Sequence, residues 1–79
     1  MTEAQRENSC LSMSNAAIAV IASRAEKAGL SMSEIAAASR LPYVNITRMF
    51  SGSYRRVITL RGLVALADSV GAKVEITIK

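Results

Sequence analysis

The chain has 79 residues, enough for one small domain with a single core. Hydrophobic residues make up 51% of the chain and aromatic residues only 4%, a composition that favours closely packed helices over a sheet sandwich. It contains no histidine, a single cysteine and six acidic residues, so we expect no enzyme activity, no metal site and no cofactor.

Charge is distributed unevenly along the chain, whose formal net charge is +4. Residues 35–67 contain no acidic residue and five arginines, which are Arg40, Arg48, Arg55, Arg56 and Arg61. A cluster of one sign inside an otherwise near-neutral domain is typical of a surface that binds nucleic-acid phosphates. A solvated basic surface kept for solubility is the simpler interpretation, and charge alone favours nucleic acid only slightly.

The sequence shows no pattern of export or membrane insertion. Its single cysteine provides no disulfide framework, its longest apolar run (residues 16–22) is too short to span a bilayer, and its polar N-terminus does not resemble a signal peptide. We therefore expect a cytoplasmic, nucleoid-associated protein.

An arm and a first helix are predicted at the N-terminus. Residues 1–12 are polar and show no sustained period, so we expect a flexible arm there, followed by a folded domain over residues 13–72. Helix 1 is predicted from Ser14 to Ala28 because apolar residues recur at steps of three and four (Ile18, Ile21, Ala25 and Ala28). Gly29 then provides a left-handed stop.

Two short helices and a longer one are predicted next. Ser31 and Glu34 have the spacing of a capping box, which begins helix 2 and carries it to about Ser39. Pro42 begins helix 3, which runs to Phe50 and is followed by a loop over residues 51–56. Thr59 caps helix 4, which has a broad apolar face and ends at Gly71 (the face is Leu60, Leu63, Val64, Leu66, Ala67 and Val70).

The last seven residues alternate strictly between apolar and polar side chains, which predicts a half-buried β-strand over residues 73–79. No other segment alternates in this way, so we expect the strand to pair with its copy in a homodimer, with Val74, Ile76 and Ile78 in the interface. The alternative is a strand that lies back on its own helices, with a dimer formed through helix 4 or the arm. The predicted fold class is a mostly α bundle of four to five helices with a C-terminal strand.

Helices 2 and 3, joined by a tight turn, form a helix-turn-helix. Ala36 is small enough for the two helices to cross closely, and Leu41 and Ile46 hold the second helix on the first. The stretch from GLSMSEIAAASRLPYVNITRMFSG through TLRGLVALADSVG resembles the phage Cro and repressor family of helix-turn-helix proteins, also called the xenobiotic-response-element family, over more than half the chain.

The chain departs from this family at two positions. The family usually has glycine where this chain has Arg40, so we expect a non-glycine residue at positive φ in the turn. It often has a phosphate-contacting glutamine where this chain has Met32, and we expect the hydroxyl of Ser33 and the free backbone amides of the helix start to hold that phosphate instead.

The resemblance implies two sets of DNA contacts. The base-reading set is Tyr43, Val44, Asn45, Thr47 and Arg48, and the set that grips the backbone is Ser33, Ser53, Tyr54, Arg55 and Arg56. The chemistry agrees, because Arg48 can donate two hydrogen bonds to guanine, and Val44 or the Thr47 methyl can contact a thymine methyl. In the simpler alternatives Arg48 is an ordinary solvated residue and Tyr43 packs on helix 2.

We therefore expect a regulator of transcription, specifically a phage or bacterial repressor, that binds a pseudo-palindromic double-stranded operator as a homodimer with residues 42–50 in the major groove. The alternative function is an antitoxin that binds its operator and also a toxin partner. It is less favoured because only the first dozen residues are left to neutralise a toxin. A helical interaction module that never contacts DNA would leave the arginine cluster unexplained.

Overall fold

Four α-helices account for most of the chain. The computed structural model describes residues 1–79 and places α1 at Glu3–Ala28, α2 at Met32–Ser39, α3 at Tyr43–Ser51 and α4 at Leu60–Ser69. Both α1 and α2 pack against α3 and α4. The prediction of a mostly α fold is confirmed, with four helices.

The N-terminal arm is not what the structure shows, because α1 begins at Glu3 rather than at Ser14. Thr2 and Gln5 form a capping box: the Thr2 hydroxyl accepts from the Gln5 amide at 3.2 Å, and the Gln5 side chain accepts from the Thr2 amide at 2.7 Å. The first part of this helix packs on little else, and its sequence therefore did not need an apolar period. The prediction depended on such a period. No helix, including the 26-residue α1, is both long enough and apolar enough to cross a membrane.

The predicted signals between the helices are confirmed. Gly29 ends α1 with φ of 68°. The Ser31 hydroxyl accepts from the Glu34 amide at 3.1 Å, and the Glu34 carboxylate accepts from the Ser31 amide at 3.0 Å. Arg40 has φ of 60° and is the one non-glycine residue in the left-handed region. Pro42 is the N-cap of α3, which lies one residue later at each end than predicted.

The core lies where the four helices meet and is aliphatic apart from Met49. Ile35, Ile46 and Leu66 are its fully buried large side chains, and one member each from α2, α3 and α4 therefore meet at the centre. The broad apolar face predicted for α4 is only partly buried. Leu66 and Ala67 are buried, but Leu60 is 56% exposed and Val64 50% exposed, because the core covers only one side of that face.

The predicted C-terminal strand is absent: residues 73–79 have no regular secondary structure and take part in no backbone hydrogen bond. Val74 is half-buried against the core, whereas Ile76 and Ile78 are exposed. Alternation in the sequence determines which side of an extended segment is apolar, but a ladder also needs a neighbouring strand, and this chain supplies none.

Candidate nucleic-acid interface

The predicted base-reading residues share the solvent side of α3. Successive residues of a helix are about 100° apart, so Tyr43, Val44, Thr47 and Arg48 occupy one continuous arc, and Asn45 lies at its edge beyond Arg48. Tyr43, Val44 and Arg48 are exposed, while Asn45 and Thr47 are half-buried. The opposite side of α3 contributes Ile46 and Met49 to the core. The helix therefore presents a defined outer face whose orientation is fixed by its buried side.

Thr47 uses its hydroxyl proton inside the helix. Its Oγ1 donates to the backbone oxygen of Val44 at 2.8 Å. A hydroxyl has only one proton to donate, so toward a ligand Thr47 can offer an acceptor and a methyl group. Arg48 therefore holds the strongest donors on this face, and Val44 and Thr47 add small apolar groups.

A polar cleft of about 400 Å³ lies where α3 ends and the following loop begins. Its walls combine the two predicted sets of residues (Asn45, Arg48, Ser53, Tyr54, Arg55 and Arg56). Three of these six side chains are guanidiniums, and residues 35–67 contain no carboxylate. The cleft thus has the charge and the donors to bind phosphate oxygens bidentately.

The backbone carbonyl of Arg48 fixes the loop beside this cleft. Gly52 reverses the chain with φ of 81°, after which the amides of Ser53 and Tyr54 donate to the Arg48 oxygen at 3.0 and 3.1 Å. The Ser51 hydroxyl donates to the same oxygen at 3.2 Å. The ring of Tyr54 is half-buried against the core. Arg55 and Arg56 therefore extend into solvent from a loop that is anchored at its start.

Ser14 anchors the other end of the same loop, and sequence reasoning missed this role. The side chain of Ser14 is buried on α1, and its Oγ accepts a hydrogen bond of 3.0 Å from the amide of Ile58. The feature of the sequence that could have revealed this role is a serine at an inward-facing position of α1, one helical turn before Ile18. A buried hydroxyl needs a partner, and here the partner is 44 residues away in sequence.

Ser33 is not among the residues that line the cleft. It is exposed in the first turn of α2. The first amide of this helix that donates to a backbone carbonyl is that of Ile35, which donates to the Ser31 carbonyl. Two hydrogen bonds lower the pKa of Glu34. The larger effect comes from the Ser31 backbone amide and the smaller one from the Ser31 hydroxyl. Glu34 therefore remains ionised at neutral pH beside the free amides of this helix end.

The remaining predicted residues lie away from the cleft. Val74 packs in a groove between α1 and α4, whereas the side chains of Ile76 and Ile78 are exposed. No three metal-ligating side chains lie together, and Cys10 is exposed on α1.

The chain matches no protein-family model, no curated protein and no solved structure.

Proposed function

We propose that this protein is a sequence-specific DNA-binding regulator of transcription, a repressor that acts as a homodimer and carries out no chemical reaction. Its α3 lies in the major groove, and the cleft at the end of α3 grips the DNA backbone. The resemblance of residues 29–71 to the Cro and repressor family supports this proposal, as do the shape and charge of the surface.

The observation that carries the proposal is the convergence of Arg48, Arg55 and Arg56 on one cleft beside the exposed face of α3. The three arginines come from two different elements, and no acidic residue between positions 35 and 67 neutralises them. DNA presents regularly spaced phosphates beside base edges, so a binding protein needs cations next to a base-reading helix. This surface places three arginines beside an exposed helix face.

The dimensions of α3 fit that role. A helix with its side chains is about 10 to 12 Å across, and a major groove about 12 Å wide admits one helix. Arg48 is assigned to guanine, Val44 and the Thr47 methyl to thymine methyl groups, and Tyr43 and Asn45 to the edges of the contact.

Contacts to phosphates set the register of the protein on the duplex. Ser53, Tyr54, Arg55 and Arg56 take this role from the loop, and Ser33 takes it with the free amides at the start of α2. Two copies, associated through residues 73–79 with Val74, Ile76 and Ile78 in the interface, then place their α3 helices about one helical turn of DNA apart. Repression follows from occupancy of the promoter.

The experiment that tests this function is selection of bound duplexes from a random pool. We expect enrichment of an inverted repeat whose half-sites contain a guanine read by Arg48, and loss of the preference at that position in Arg48→Ala. Arg61→Ala is the matched control, because Arg61 lies on α4 outside the cleft. A pool that shows no enrichment with the wild-type protein contradicts the proposal.

A further inference from the structure

The turn between α2 and α3 has an arginine where the other left-handed positions of this chain have glycine. Left-handed backbone occurs at Gly29, Gly52 and Gly71, and at Arg40 with φ of 60°. A side chain at this φ has a steric cost that glycine avoids. Residues with such a cost cluster at functional sites, so the arginine side chain calls for a role.

No contact within the folded chain provides that role. Arg40 is exposed, and its guanidinium takes part in no hydrogen bond or ion pair. The side-chain hydrogen bond in the turn joins the Ser39 hydroxyl to the Leu41 amide at 3.3 Å and does not involve Arg40. The nearest carboxylate before it in the chain, that of Glu34, belongs to the first turn of α2, about 9 Å away along the helix axis. The charge of Arg40 is therefore available to another molecule.

Arg40 lies beyond one end of α3, and the cationic cleft lies at the other. Arg40 comes two residues before Pro42, the N-cap of α3, while Arg48, Arg55 and Arg56 line the cleft where α3 ends. The nine residues of α3 span about 13 Å. Cations therefore stand at both ends of this helix, spaced so that they can bind different phosphates.

We propose that Arg40 binds a DNA phosphate at the start of α3, separate from the phosphates that the cleft binds. This inference rests on the proposed function, because it adds a contact to the same protein–DNA interface. A guanidinium can donate two parallel hydrogen bonds to phosphate oxygens, and glycine has no side chain to do so. A backbone contact beyond each end of α3 fixes the position of the whole helix in the groove.

A purely structural role for Arg40 predicts different results. A cation near the C-terminus of α2 interacts favourably with the helix dipole, and α2 has no basic residue in its last turn. If Arg40 acted only in this way, Arg40→Gly would lower the free energy of unfolding and leave the affinity of the folded protein for DNA unchanged. If Arg40 binds phosphate, the same substitution relieves the turn and weakens DNA binding.

The affinities of Arg40 variants of the full chain test the contact. We expect Arg40→Gly and Arg40→Ala each to weaken binding about thirtyfold at 0.1 M salt, on selected and random duplexes alike, because a dimer loses two phosphate contacts. The logarithmic salt slope should become shallower by about 2. Arg40→Lys keeps the charge and should retain most of the affinity. Arg61→Ala, the matched control on α4, shows the effect of net charge alone.

Ethylation of individual phosphates in the selected duplex locates the contact. An ethylated phosphate has no charge, so ethylation at a contacted position weakens binding. We expect one phosphate in each half-site at which ethylation weakens binding of the wild type but no longer affects Arg40→Gly. Ethylation at that phosphate should still weaken binding of Arg55→Ala/Arg56→Ala, whose lost contacts lie elsewhere.

Two results overturn this inference alone: Arg40→Gly binds as tightly as Arg61→Ala, or no phosphate loses its ethylation effect in Arg40→Gly specifically. In both cases the wild type still selects an inverted repeat, so the proposed function stands without this contact. A wild-type protein that binds no duplex overturns the inference together with the proposed function.

Discussion

Residues 31–59 and residues 73–79 differ in where their interaction partners lie. In the first region most turns and caps are satisfied within a few residues, such as Ser31 with Glu34 and the Ser53 and Tyr54 amides with the Arg48 carbonyl, and the Ile58 amide is satisfied by Ser14 of α1. In the second region no backbone group finds a partner inside the chain. The first region therefore has a fixed surface, whereas the second has backbone groups that are free to pair with another molecule.

This difference indicates a division of work. The helix-turn-helix and its loop form a preorganised, cationic surface, and in the homodimer that we propose the C-terminal segment determines how two such surfaces are held relative to each other.

The largest effect is expected from the loop arginines. In Arg55→Ala/Arg56→Ala, a dimer loses four cations, so affinity for any duplex should fall by up to about a thousandfold at 0.1 M salt. Titration of labelled duplexes by anisotropy measures the loss. Preferred and random sequences should be affected alike, because these contacts carry no sequence information. A loss confined to the preferred duplex would refute the assignment of these arginines to the backbone.

Arg48→Ala should act differently from the loop variant. Loss of a two-bond contact to guanine costs about 1 to 3 kcal/mol on the preferred duplex and less on random DNA. The measurement is the ratio of the two affinities, which should decrease. If the ratio stays at the wild-type value, Arg48 is an ordinary cation of the cleft.

Ser14→Ala tests the long-range anchor of the loop. The variant leaves the buried Ile58 amide without its acceptor, which should lower the free energy of unfolding by about 1 to 3 kcal/mol. Urea denaturation measures this, with Ser12→Ala, an exposed position of the same helix, as the matched control. Equal stabilities of the two variants would show that the hydrogen bond contributes nothing.

Arg40→Gly should stabilise the protein. Glycine has no steric penalty at φ of 60°, so we expect the free energy of unfolding to rise by about 0.5 to 1 kcal/mol, after the greater freedom of glycine in the unfolded chain is deducted. Arg40→Ala keeps the steric penalty while removing the charge, so it should not stabilise. Thermal unfolding of the two variants distinguishes strain from charge.

The smallest effect concerns pH and Glu34. The folded-state pKa of Glu34 lies below its ordinary value of 4.5, so the carboxylate stabilises the folded protein above that value. This contribution is lost as pH falls through the lowered folded pKa. Glu34→Gln retains the capping geometry without the charge. Its stability should therefore be lower than wild type at neutral pH and converge with it in acid. A difference that is constant with pH would contradict this.

The parts of the structure that the sequence predicts are those with local causes. The capping box at Ser31 and the outer face of α3 each follow from residues within one or two turns, whereas the left-handed conformation of Arg40 was expected from the resemblance to a family that has glycine at this position. The capping box at Thr2 is equally local, but it was missed because the helix it begins has no apolar period there. The Ser14 anchor and the fate of residues 73–79 depend on distant partners, which no local pattern displays.

The central claim is that the cationic cleft and α3 bind DNA, and the salt dependence of binding tests it most directly. With Arg55, Arg56 and one further cation on each of two subunits, about six phosphates are neutralised, and the logarithm of the association constant should fall against the logarithm of salt concentration with a slope near −5. The measurement uses the wild-type protein and a duplex of at least about 20 base pairs. A slope shallower than about −2, or no binding at low salt, contradicts the account.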